Sequence, residues 1–204
     1  MKKVLYSFII SVFVFFAPNL VSAGCGSVGK VLCVCSMESP EFHCKESSFS
    51  EKDCQSFCAT KKSPDYSYSA LPAPSDDSKK AQDKVIASTY AIGQEKKAAE
   101  ETKKKADETL AVWKKAQEEF AKANSGVIKW TAWEVDAAKE KLKEAEASYL
   151  TAKQEQASAT KKVAATEAWR KSAIQLLANP TDSAAKAAET AAATAAATAT
   201  VPAA

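Results

Sequence analysis

The chain has 204 residues, of which 28 are Lys or Arg and 25 are Asp or Glu, for a formal net charge of +3. Removing Lys2 and Lys3 with a leader brings this to about +1, which excludes the strong positive field that draws proteins to nucleic acid or anionic membranes. The length suits one ordinary domain. However, alanine inflates the 46% hydrophobic content, and beyond residue 60 large aliphatic side chains are too sparse to fill a thick core.

Lys2 and Lys3 precede a nearly unbroken apolar run from Leu5 to Ala17, and Val21-Ser22-Ala23 has the small residues of a cleavage site. Residues 1–23 read as a signal peptide, with the mature chain starting at Gly24. The apolar run is short for a membrane span, so none is expected in the mature chain. Cys25 follows the cleavage region closely, as in lipoproteins, but Ser22 stands where a lipoprotein signal usually has leucine. The leader looks bacterial. Export to the periplasm, the cell surface or the medium follows.

All six cysteines, Cys25, Cys33, Cys35, Cys44, Cys54 and Cys58, lie directly behind this leader, and none follows. Such clustering in an exported chain predicts a disulfide-stapled head, residues 24–60. Lys30-Val31-Leu32-Cys33-Val34-Cys35 is β-prone, and residues two apart on a strand share a face. Ser50-Glu51-Lys52-Asp53 reads as a cap and acidic first turn for a short helix through about Ala59. On that helix Cys54 and Cys58 also share a face. The strand pair and the helical pair each span about 6–7 Å, so a strand CxC laid across a helical CxxxC closes two parallel disulfides. Cys25 and Cys44 remain for the third.

Cys33, Cys35, Cys54 and Cys58 resemble the cysteine-stabilised α/β motif of defensins and scorpion toxins, with the strand pair here preceding the helical pair. Only the cysteine geometry is shared, so the resemblance implies a stapled strand and helix and carries no toxin activity. His43 with cysteines is a formal zinc set, but paired CxxC knuckles are missing, and no CxxC suggests a redox pair. Disulfides and a surface histidine are expected, with no metal and no cofactor.

Residues 61–77 contain three prolines with serines and aspartates and read as an extended linker, with Tyr66 and Tyr68 solvated. Ser75-Asp76-Asp77 caps the helix that follows. In residues 78–179, Val85, Ile92, Ala99, Ala106, Trp113 and Phe120 recur every seven residues. A second series runs through Val135, Leu142, Tyr149, Gln156, Val163, Arg170 and Leu177, with companions such as Ala138, Ala145 and Ala152 three positions on. Large residues alternating with alanine are the pattern of a close-packed antiparallel helical pair. Two nearly equal arms, residues 78–123 and 128–178, flank Asn124-Ser125-Gly126. That break favours a hairpin of roughly 70 Å over one continuous rod. Gly93 reads as a weak point in the first arm.

The stretch from Lys97 to Glu108, rich in Ala, Lys and Glu, resembles the central region of TolA proteins. That resemblance implies a periplasmic spacer helix, although TolA's N-terminal anchor has no counterpart here. Residues 180–204 form an Ala/Thr-rich tract expected to be disordered. The predicted fold is therefore mostly α: a small disulfide-rich N-terminal α/β head, a long antiparallel helical hairpin built as an alanine-rich coiled coil, and a disordered tail.

Trp130 and Trp133, three apart near the turn, fall outside the seam. They are candidate partner contacts, or else they cover the hairpin end. With one histidine, five scattered glycines and no nucleophile-elbow motif, no catalytic set is assembled. The expected role is that of a secreted or cell-envelope structural and interaction protein, a helical spacer carrying a binding head. A periplasmic spacer and a secreted toxin or antimicrobial are the alternatives. The partner would be a protein or cell-envelope component, with homo-oligomerisation through the coiled coil as a further option.

Overall fold

The computed structural model describes residues 30–36, 41–63, 65–126 and 129–199. The expected signal peptide and Cys25 lie outside these residues. In chain order the elements are β1 (Lys30–Cys35), β2 (Glu41–Glu46), α1 (Glu51–Thr60), β3 (Tyr66–Ala70), α2 (Asp76–Asn124), α3 (Ala132–Ala178) and α4 (Ser183–Thr198). The chain is mostly helical, with one small antiparallel sheet in the order β2-β1-β3.

β1 organises the N-terminal third. Cys33 pairs in register with His43 on β2 and with Tyr68 on β3. Residues Val31 to Cys35 are all buried, because both faces of the strand are covered. Cys33 and Cys35 face α1, together with Tyr66 and Tyr68 of β3. Leu32 and Val34 point the other way, into a core with Val85 and Ile86 of α2 and Ala173, Leu176 and Leu177 of α3. The period-two alternation of a strand thus divides one hexapeptide between two separate clusters.

The linker expected over residues 61–77 is corrected by this arrangement. Tyr66–Ala70 forms β3, with its tyrosines towards α1 and its serines towards the long helices. Ser67 Oγ hydrogen-bonds Thr89 Oγ1 of α2 at 2.6 Å, Leu71 is buried, and Leu71 N donates to Lys30 O at 3.0 Å. The Pro/Ser composition reflects turns flanking a short edge strand, where proline is tolerated. The head is consequently packed against the helices.

Gly93 has a packing role. A methyl group there would collide with Ser36 Oγ, so glycine lets the end of β1 approach α2 closely. Ser75 and Thr131 cap α2 and α3 through reciprocal capping boxes with Ser78 and Glu134. Gly126, at φ +69°, ends the first long helix.

α2 and α3 contact one another so that early residues of one meet late residues of the other. Lys96 pairs with Glu167 at 3.4 Å, Lys105 with Glu155 at 2.6 Å, and Trp113 stacks on Tyr149 with centroids 5.1 Å apart. All positions of the two seven-residue series are buried or half-buried. Arg170, a cation on the seam, is explained by the sheet: it donates to the Tyr66 carbonyl on β3 at 3.2 Å.

The disordered tail expected over residues 180–204 is also corrected, since Ser183–Thr198 forms α4 and packs on α3. Asp182 caps it by accepting from Ala184 N and Ala185 N. Large apolar side chains are not what holds it. Glu189, 1% exposed, accepts from Trp169 Nε1 at 2.8 Å and pairs with Lys84, while Lys186 pairs with Asp77 at 3.3 Å. Residues 200–204 lie outside the described part of the tail.

Candidate functional site

Two disulfides staple β1 to α1. Cys33 is joined to Cys54 and Cys35 to Cys58, with S–S distances of 2.03 and 2.02 Å. A strand pair bridged in parallel to a helical pair is the arrangement that the CxC and CxxxC spacings predict. All four cysteines are fully buried, and the Cys33 and Cys58 sulfurs lie 3.9 Å apart. Cys33, Cys35 and Cys58 place their sulfurs within 4.8 Å of one another, a metal-like cluster in outline whose sulfurs are all bonded in disulfides. Cys44 is disulfide-bonded as well. It pairs in register with Leu32 and packs on the helix-facing core, so the third bridge starts from the opposite face of the sheet. Cys25, assigned to it from sequence, lies outside the described residues.

The outer surface of the head is aromatic and cationic. His43 meets the Phe57 ring edge-on at 4.6 Å. Lys45 lies 5.6 Å from the Phe49 ring centre and 5.3 Å from that of Phe57, and Lys61 approaches Phe57 at 5.8 Å. These cations cover the rings and hold them in place.

Between the head and α3 lies a shallow cleft of about 280 Å³ bordered by Glu51, Tyr66 and Arg170. Burial, and then the neighbouring Glu51 carboxylate, push the Tyr66 phenol above its ordinary pKa. Its hydroxyl reaches Glu51 at 3.4 Å. Asp65 at the cleft wall is tied to Lys96 at 2.6 Å. The polar groups of this cleft bind one another, which joins the head to α2 and α3.

The two candidate tryptophans are separated by the cap of α3. Trp130 precedes the N-cap Thr131, whereas Trp133 lies in the first turn, so they do not form a pair on one helix face. Trp133 is 78% exposed; Trp130 is half-buried with its indole nitrogen shielded from solvent. Trp130 and Val135 hold the two positions of a hydrophobic staple around the cap. Among the described residues only Val112 and Leu150 join Trp133 as large exposed apolar side chains.

Three features were missed from sequence: β3, the Glu189 anchor and the open groove beside Val112. The Tyr-Ser-Tyr-Ser alternation signals the first. For the second, a single acid between the alanines and threonines that follow Lys186 is the available clue. No protein-family model, curated protein or solved structure matches this chain. No helix of the described residues is long and apolar enough to cross a membrane.

Proposed function

We propose that the protein is an exported, non-catalytic structural and interaction protein of the cell envelope or medium. In this reading an alanine-rich antiparallel coiled-coil hairpin projects from a disulfide-stapled head. The observation that carries it is the double anchoring of β1, with Cys33 and Cys35 bridged to α1 while Leu32 and Val34 interlock with Val85 and Leu177. A head fixed in this way acts as the foot of the shaft and holds the distal surface at a set distance and orientation. Disulfide pairing of buried sulfurs supports maturation in an oxidising compartment. Exposed Trp133 supports a contact surface near the shaft end.

The test is fractionation of producing cells combined with alkylation of free thiols before lysis. The reading expects a processed chain beginning near Gly24, outside the cytoplasm, whose cysteines resist alkylation until a reductant is added. An unprocessed cytoplasmic chain with freely alkylated cysteines would overturn it. Protease shaving of intact cells, with a tag just after the leader, then separates a surface location from a periplasmic one.

A further inference from the structure

α4 fills only the base of one long face of the helical pair. Its partners Asp77 and Lys84 on α2 are seven residues apart, and its partner Trp169 on α3 stands one heptad before Leu176 of the core against which Ala185 packs, so they mark one side of the seam. Val112 and Glu119 stand whole heptads beyond Lys84, and Lys141 stands whole heptads before Trp169. The same side therefore continues towards the tip after α4 has ended. There it is an open groove of about 500 Å³. Buried Ala116 and Ala145 form its floor, and Val112, 60% exposed, stands on its lip.

Four charges line the groove, Lys115 and Glu119 on α2 and Lys141 and Glu144 on α3. None of the four is in an ion pair among the described residues. The Lys105–Glu155 pair sets the relative level of the two helices. On that level, the midpoint of Lys115 and Glu119 lies within about one residue of the midpoint of Lys141 and Glu144. A two-fold axis crossing the groove there brings a second copy face to face in the opposite direction. Lys115 then meets the second copy's Glu119, Lys141 meets its Glu144, and each contact is repeated by symmetry. The opposed orientation also leaves both α4 helices beyond the overlap, whereas copies pointing the same way would be held apart by them. The alanine floor permits close helix approach, and the overlap covers Val112.

The geometry points to self-association of this chain through the distal α2/α3 groove, as an antiparallel two-fold dimer registered by the Lys115–Glu119 and Lys141–Glu144 charges. It is independent of where the protein resides in the cell.

The test is light scattering with size exclusion on the full mature protein and on Lys115→Glu and Glu119→Lys variants. Circular dichroism confirms that each variant is folded. The wild type should be dimeric at tens of micromolar. Each single reversal sets like charges together twice and should weaken association by about tenfold or more. An equimolar mixture of the two variants should dimerise again, because every Lys115/Glu119 contact across that heterodimer joins opposite charges. A wild type that stays monomeric to several hundred micromolar would overturn the inference. So would single variants that dimerise normally, or folded variants that fail to recover on mixing. The last result would instead suit a different occupant or a parallel arrangement.

Discussion

Glu189 on α4 accepts the indole N–H of Trp169 on α3 at 2.8 Å, and its second carboxylate oxygen meets Lys84 on α2. One buried acid thereby links three helices. The neighbouring positions of α4 are alanine and threonine, which contribute little apolar burial, so Glu189 dominates the docking of this helix.

Glu189→Ala leaves the Trp169 donor and the Lys84 charge without their acceptor. The expected cost is about 1–3 kcal/mol, confined to α4. Hydrogen exchange on the native protein checks this: α4 amides should lose protection while the midshaft amides of α2 and α3 keep theirs. Glu189→Gln retains an acceptor for Trp169 and should give a smaller effect.

Gly93 and Gly126 should respond differently to alanine. Gly93→Ala drives a methyl group into Ser36 Oγ at the foot of the shaft, with an expected destabilisation of about 1–3 kcal/mol. Gly126→Ala meets open space and carries only the cost of a left-handed backbone, about 1–2 kcal/mol. Urea unfolding of both variants, with near-ultraviolet dichroism of the head aromatics, separates the causes, since only Gly93→Ala should disturb the head.

Trp133→Ala should leave the thermal midpoint nearly unchanged, because this side chain is exposed. Trp113→Ala removes the stack on Tyr149 and should cost about 2 kcal/mol. A marked midpoint shift in Trp133→Ala would place that residue among the structural contacts of the shaft end.

Removing the Cys35–Cys58 bridge by paired alanine substitution should lower stability by about 2 kcal/mol, the low end of the range for a disulfide, because the neighbouring Cys33–Cys54 bridge still ties the same strand to the same helix. Urea unfolding of this variant beside the wild type checks the difference.

Two helix starts should be acid-sensitive. Hydrogen bonds from Ser50 side chain and backbone hold the Asp53 carboxylate below its ordinary pKa, and the Thr131 backbone and side chain do the same for Glu134. A carboxylate depressed by folding contributes its stabilisation above its unfolded pKa, near 4, and loses it as pH falls through the folded value. Carboxyl titration by NMR should therefore show both groups below typical values. Ser50→Ala removes the side-chain bond but keeps the backbone N–H, so it should move Asp53 part-way back towards the ordinary range and leave Glu134 unchanged.

Regions governed by regular spacing were legible in the sequence. Cysteines two apart on a β-prone run and four apart on a capped helix specify facing pairs, and the Val85 and Val135 series foretell which residues are buried. β3 was hidden because its serines face the helices and its flanking prolines dominate the composition. α4 was hidden because alanine and threonine give no periodic signal, and its docking depends on a single acid. Trp130 and Trp133 were grouped by spacing alone, but the Thr131 cap interrupts the helix between them.

The 3.9 Å separation of the Cys33 and Cys58 sulfurs makes the two bridges one exchange unit. If the Cys33–Cys54 bond is reduced, the Cys33 thiolate stands beside a sulfur of the remaining disulfide. Attack on Cys58 forms Cys33–Cys58 and releases Cys35 as the leaving thiolate. Sulfur proximity alone therefore does not enforce the native connectivity. Strand register and helix phase do, so the step that commits the pairing is the closure of β1 between α1 and the foot of the shaft.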